Sequence, residues 1–197
     1  MAGMSLLLVL SLAAGSVPVK AQTAAPAKNT KRPEPAAAAK SETVMDDVGR
    51  FVATFPGPVQ RRSQQVDTAV GKIPMNMVFV DHTAEVYMII YCDYPEGSVA
   101  RSGGAESVCS NARDGAVKNV NGKVRTSTSC RIGELNGLEV VADIPPKDPK
   151  TAGAPSASRL RFFVVGDRLY QLMYIGPNGT EASTEAMAFL NSIRLTR

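Results

Sequence analysis

The segment EVYMIIYCDYPEG, residues 85–97, decides the fold that the sequence predicts. Its side chains alternate as they do in a β-strand, but both alternating sets are apolar. One set holds Val86, Met88, Ile90 and Cys92, and the other holds Tyr87, Ile89 and Tyr91. A strand with two apolar faces needs a further layer against each face. The segment RLYQLMYIG, residues 168–176, has the same property, so we predict a sheet whose middle strands are covered on both sides.

Short turn segments separate most of the predicted strands, which favours antiparallel pairing. We predict hairpins at Gly71-Lys72, at Asn136-Gly137 and at Gly166-Asp167. Helical periodicity predicts one helix over residues 105–121 and a second over about 181–191. Together these elements predict the α+β class, with a three-layer α/β/α sandwich around a mainly antiparallel sheet.

The first 46 residues differ in composition from the rest of the chain. Residues 1–21 hold an apolar run too short to span a bilayer and end in small residues, which is typical of a secretory signal peptide. Residues 22–46 are rich in Ala, Pro and Lys and predict a disordered tether. We expect a mature chain that starts at Gln22, has no integral membrane segment and carries one globular domain over residues 47–197. The leader predicts export, to the periplasm or out of the cell.

The net charge of +4 lies in the first 40 residues, which hold five Lys or Arg residues and one acidic residue. Residues 41–197 are balanced, with 17 basic and 17 acidic residues. A nucleic-acid-binding domain needs a basic face, so no nucleic-acid partner is expected. The cations of the tether predict only a weak contact with acidic surfaces.

Three polar residues at one predicted hairpin, Asp81, His82 and Glu85, have the character of metal ligands. A turn also favours such residues for solvation alone. The chain has one histidine, so motifs that need two are excluded. No serine-hydrolase, zinc-protease, Walker or dinucleotide-binding motif occurs. We therefore expect no catalytic or metal-binding residues, no cofactor and no enzyme activity. A metal-dependent hydrolase that uses this trio is the less favoured alternative.

Tyrosines on the predicted strands suggest a different alternative. Such rings line grooves for small amphipathic ligands, but more often they pack under a helix with the hydroxyl at the rim. The residues concerned are Tyr87, Tyr91, Tyr94, Tyr170 and Tyr174. A carrier of a small amphipathic molecule is therefore kept as the second alternative.

The three cysteines allow one favoured disulfide. From the turn after the first helix, Cys109 lies ~17 Å back along the helix. Cys130 lies ~20 Å out along the following strand. A helix that folds back on this strand brings the two together, and an oxidising compartment permits the bond. We expect that a disulfide, if one forms, joins Cys109 to Cys130 and leaves Cys92 as a buried thiol.

Six motifs, taken in order, resemble a family of small exported bacterial proteins of unassigned function. They are FVATFPGPV, VYMIIYCDYP, ARDGAVKNVNGKV, LNGLEV, RLYQLMYIGP and AMAFLNSIRL. That family is similar in fold to PsbP, the extrinsic photosystem subunit, and to the Ran-binding import factor Mog. The resemblance covers about residues 48–197 and implies the same sandwich. Because relatives of this kind act as binding or assembly factors, it implies an exported, non-catalytic binding or assembly module with an unknown protein partner.

Overall fold

The computed structural model of the chain describes residues 40–146 and 155–196. Their elements, in chain order, are β1 (Glu42–Asp46), β2 (Phe51–Phe55), β3 (Gln60–Thr68), β4 (Gly71–Asp81), β5 (Val86–Asp93), α1 (Ser98–Arg101), α2 (Gly104–Asn119), β6 (Lys123–Ile132), β7 (Leu135–Ile144), β8 (Ser156–Val165), β9 (Arg168–Pro177), α3 (Thr184–Ser192) and β10 (Arg194–Leu195). The predicted signal peptide and the tether up to residue 39 lie outside the described residues.

Seven of these strands form one sheet in the order β3-β4-β5-β9-β8-β7-β6, and every neighbouring pair is antiparallel. The two strands with two apolar faces, β5 and β9, pair with each other in the interior of this sheet. Both helices that periodicity predicted are present, as α2 and α3. The predicted mixed α/β fold with a mainly antiparallel sheet is therefore confirmed.

Separate hydrophobic clusters cover the two faces of the large sheet. On the face that we call the first face, α1 and α2 contribute Val99, Val108, Cys109, Ala112 and Val117. The opposite face, the second face, packs against α3 and a three-stranded sheet in the order β1-β2-β10. The second cover therefore differs from the helical layer that we predicted, because the alternating apolar residues of β2 form a strand that packs beside α3.

Residues 42–46 correct the predicted end of the tether. They form β1, which pairs antiparallel with β2 along its whole length. Val44 is buried in the cluster of the second face, and the carboxylate of Asp46 accepts a hydrogen bond from the backbone N–H of Gly49 at 2.6 Å. The composition of the segment resembles a spacer, but two buried side chains, Val44 and Asp46, and a backbone ladder order its last five residues.

The hairpin between β6 and β7 turns at Gly133-Glu134 and not at the predicted Asn136-Gly137. Gly133 has a φ of 55°, a left-handed conformation that favours glycine. Asn136 and Gly137 lie inside β7, where Gly137 pairs with Cys130. The ring of Phe163 on the neighbouring strand lies over Gly137, and a Cβ atom there would be 2.4 Å from the Cδ1 atom of Phe163.

The other two predicted hairpins are present. β8 and β9 join across Gly166-Asp167, as predicted. β3 and β4 also form a hairpin, but their turn consists of residues 69–70, and Gly71 is the first residue of β4.

Among the described residues, no helix has the length and apolarity needed to cross a bilayer.

We predict that Gly137→Ala lowers the free energy of unfolding by about 1–3 kcal/mol, because the added methyl group overlaps the ring of Phe163. Asn136→Ala is the matched control. Its side chain is exposed near the start of β7, so the change should stay within about 0.5 kcal/mol. Urea unfolding of the three proteins measures both values. A large cost for Asn136→Ala with none for Gly137→Ala would contradict this register.

Candidate functional site

A small cavity lies between the C-terminal half of α2 and the first face of the sheet. Its volume is about 20 Å³, and its lining comes from α2, the residue that follows it, β5, β7, β8 and β9. The apolar wall includes Ile90, Leu160 and Met173, which belong to the core of the first face. None of the lining residues within 40–146 and 155–196 carries a charge.

Three polar atoms line this cavity without a hydrogen-bond partner among the described residues. They are the Nδ2 of Asn119, the Oγ of Ser158 and the Oε1 of Gln171. Gln171 is 1% exposed and Ser158 is 2% exposed. A buried polar group left unpaired costs about 1–3 kcal/mol, and native proteins leave few such groups. A hydrogen-bonding guest, either water or a ligand group, is therefore expected in the cavity.

Strand register and the end of a helix bring the three side chains together. Gln171 lies opposite Ile90 of β5 on one side and Phe162 of β8 on the other. Its neighbours along β9 face the second side of the sheet, so the alternation of the strand turns Gln171 toward α2. Asn119 is the last residue of α2, so it meets the sheet where that helix ends.

The sequence analysis missed these three residues. One signal was available: Gln171 is the single polar residue inside the apolar run LYQLMYI. A polar residue at the centre of a strand that is buried on both faces carries a desolvation cost, and it therefore marks a position to examine for function.

The tyrosines do not line the groove that the carrier alternative requires. Tyr87, Tyr91, Tyr170 and Tyr174 fill the second face as part of its core. The ring centroid of Tyr87 lies 5.1 Å from that of Tyr174 and 5.5 Å from that of Phe189. Tyr94 belongs instead to the first face. Aromatic packing thus fills the space that such a groove would need, and the cavity lies on the opposite side of the sheet.

The structure does not assemble Asp81, His82 and Glu85 as metal ligands. The carboxylate of Glu85 accepts hydrogen bonds from the hydroxyls of Tyr174 at 2.6 Å and Tyr87 at 3.0 Å. The backbone N–H of His82 donates to the carbonyl of Glu85 and closes the hairpin. Within residues 40–146 and 155–196, no group of three His, Cys, Asp or Glu side chains is placed to hold a metal ion. Glu85 therefore anchors two tyrosines at the rim of the core.

The predicted disulfide between Cys109 and Cys130 is wrong. Cys109 is buried on the first face, whereas Cys130 packs against the second, so the sheet lies between them. The helix does fold back over the sheet, but Cys130 points away from it. All three cysteines are free thiols. Burial raises the pKa of Cys92 to about 12 and those of Cys109 and Cys130 to about 11, which disfavours the reactive thiolate form.

Comparisons with known proteins support the fold and no more. No protein-family model and no curated protein matches the sequence. The solution structure of cyanobacterial PsbP (CyanoP) from Synechocystis sp. PCC 6803 superposes with a TM-score of 0.50 and 9% identity, covering 84% of this chain and 98% of that one. A crystal structure from Bacteroides thetaiotaomicron VPI-5482 gives a TM-score of 0.47 and 11% identity over 79% of this chain, which spans 48% of that protein. The likeness to PsbP shows a shared fold.

We predict that the folded protein loses stability as the pH rises above about 10. Burial and the hydrogen bond to Glu85 raise the pKa of Tyr174 to about 12, and the same causes raise the pKa of Tyr87. Unfolded tyrosines ionise near pH 10, so this contribution to stability is complete below pH 10 and disappears as the pH passes 12. Denaturant midpoints between pH 8 and 12 measure the loss. Titration of tyrosine absorbance should show a late-ionising fraction, and full ionisation of the folded protein near pH 10 would contradict the prediction.

We also predict that Gln171→Leu raises the free energy of unfolding of the unliganded protein by about 1–3 kcal/mol, because it removes an unpaired buried oxygen. Gln65→Leu is the matched control, since Gln65 is an exposed glutamine on edge strand β3, and the change should have an effect below about 0.5 kcal/mol. Chemical denaturation measures both values. A clear loss of stability in Gln171→Leu would mean that its oxygen already has a partner.

Proposed function

We propose that the chain is an exported, non-catalytic binding module of the PsbP-like type, and that it holds a small amphipathic ligand in the cavity under α2. One observation carries this proposal: three unpaired polar atoms meet inside a cavity whose other walls are apolar. Ligand sites combine apolar walls with a few polar groups that fix orientation. The arrangement under α2 has that composition.

The size of the cavity limits what enters it. Sites that enclose a drug-sized ligand measure about 300–1,000 Å³, whereas this cavity measures about 20 Å³. Only one end of a ligand fits inside, and the remainder must extend through the mouth. Val120, Ile144 and Ile175 are lining residues that are partly exposed, so they mark an apolar mouth for that remainder.

The chemistry of the cavity favours binding over catalysis. General acid–base or nucleophilic catalysis uses a titratable or activated group within hydrogen-bond reach of the substrate. The lining residues in the described part of the chain include no carboxylate, imidazole, amine or thiol. Ser158 has no base beside it among these residues, so its hydroxyl is suited to hydrogen bonding.

The export part of the proposal rests on the apolar leader before Gln22.

Assembly with a protein partner is the second candidate, and the edge strand β6 favours it. β6 ends the seven-stranded sheet, and every residue in it is exposed or partly exposed. Residues 126–130 of this strand are uncharged. An extended segment of another protein can add to such an edge through backbone hydrogen bonds.

We predict that Ala116→Met displaces the ligand, because the longer side chain extends into the cavity that Ala116 lines. Ala105→Met is the matched control, since Ala105 is exposed in the first turn of the same helix. Native mass spectrometry of the gently purified full-length chain should show a small-molecule adduct in the wild type and in Ala105→Met, and at least a tenfold lower fraction in Ala116→Met.

An adduct that survives equally in both variants would place the ligand elsewhere on the protein. A wild-type chain that has the bare protein mass and yet co-purifies with a defined protein partner would favour the second candidate. In that case Ala116→Met should leave the partner bound, because the cavity and β6 are separate parts of the fold.

A further inference from the structure

Resting on the proposed function, we infer that the part of the ligand inside the cavity is an uncharged group with at least one hydrogen-bond donor and one acceptor, such as a primary amide, joined to a narrow apolar chain. The juxtaposition of Asn119, Ser158 and Gln171 in one uncharged cavity carries this inference. It names the chemical class of a ligand whose presence the proposed function requires.

The three unpaired atoms have different hydrogen-bonding capacities. The Nδ2 of Asn119 only donates, the Oε1 of Gln171 only accepts, and the Oγ of Ser158 does both. A guest that satisfies all three must therefore offer at least one acceptor to Asn119 and one donor to Gln171. A primary amide has both groups on one carbon, and a hydroxyl group combines them in one atom.

Charge excludes the ionised alternatives. An ion moved from water into an apolar site costs far more than a neutral polar group unless an opposite charge pairs with it. The lining that the structure describes offers no such charge, since all of its side chains are neutral. A carboxylate would also leave the oxygen of Gln171 without a donor, and an ammonium group would leave the Nδ2 of Asn119 without an acceptor.

Burial fixes the direction in which the ligand enters. Gln171 and Ser158 are almost fully buried, whereas Val120, Ile144 and Ile175 are partly exposed. The polar group therefore lies innermost and the apolar chain points outward. Ile90, Leu160 and Met173 form the apolar walls of the cavity, and a volume of about 20 Å³ favours an unbranched chain next to the head.

Three probes of equal chain length test the inference on the full-length protein. Pentanamide offers a donor and an acceptor, N,N-dimethylpentanamide offers only an acceptor, and pentanoate is ionised. Titration followed by amide NMR shifts should give saturable binding of pentanamide, with shifts concentrated in α2 and β9. We expect binding at least about tenfold weaker for the dimethylated amide, because the oxygen of Gln171 stays unpaired and two methyl groups add bulk at the head, and weaker still for pentanoate.

Two variants and one control variant separate the loss of a hydrogen bond to the ligand from general damage to the fold. Gln171→Leu should narrow the discrimination between pentanamide and its dimethylated form to the part that the bulk of the two methyl groups causes, which a merely weakened fold would not do. Ser158→Ala should weaken pentanamide binding by about three- to tenfold. Ser156→Ala should have no effect, because Ser156 lies on the same face of β8 but does not line the cavity.

The outcomes distinguish this inference from the proposed function. Equal or tighter binding of pentanoate or of the dimethylated amide overturns the head-group class and leaves a ligand site under α2 in place. A cavity that shows only ordered water, with no response to any probe and no native adduct, overturns both. Binding of pentanamide that Gln171→Leu leaves unchanged in affinity and selectivity overturns the assigned orientation.

Discussion

The burial of both faces of β5 and β9 is the constraint on which the rest of the structure depends. Each strand presents apolar side chains up and down, and an uncovered face would expose a row of large side chains to water at a cost of roughly 25 cal/mol for each Å². One helix with its short neighbour covers one face, and a small sheet with α3 covers the other. The chain therefore needs its N-terminal and C-terminal segments to complete the core, which explains why β1 is ordered.

The two faces of the large sheet differ in whether their buried polar groups have hydrogen-bond partners. On the second face, these tyrosine hydroxyls are paired: Tyr174 and Tyr87 donate to Glu85 at the rim, and Tyr170 donates to the buried carbonyl of Gly49. On the first face, the end of α2 leaves a gap with unpaired amide and hydroxyl groups. Buried polar groups that are hydrogen-bonded contribute to stability, whereas unpaired ones reduce it. A guest that pairs with the unpaired groups of the first face would therefore stabilise the folded protein.

The proposed ligand site and the proposed partner site lie on different parts of the sheet. The cavity adjoins the central strands, where a guest contacts rigid elements held on both sides. β6 lies at the edge, where the backbone has pairing capacity left. Because the two sites share no residue, a ligand under α2 and a protein on β6 do not compete for the same atoms, and one module has room for both.

Periodicity and turn chemistry in the sequence alone determined the mixed α/β fold, the antiparallel sheet, both main helices and the two-faced strands. Tertiary structure decided what local patterns do not encode. The ring of Phe163 over Gly137 overrode the turn preference of Asn136-Gly137, and strand alternation placed Cys130 across the sheet from Cys109. The three unpaired polar side chains of the cavity come from α2, β8 and β9, and they lie more than ten residues apart along the chain. Only the packing of that helix on those strands brings Asn119, Ser158 and Gln171 together, since contacts between distant segments depend on register and helix position.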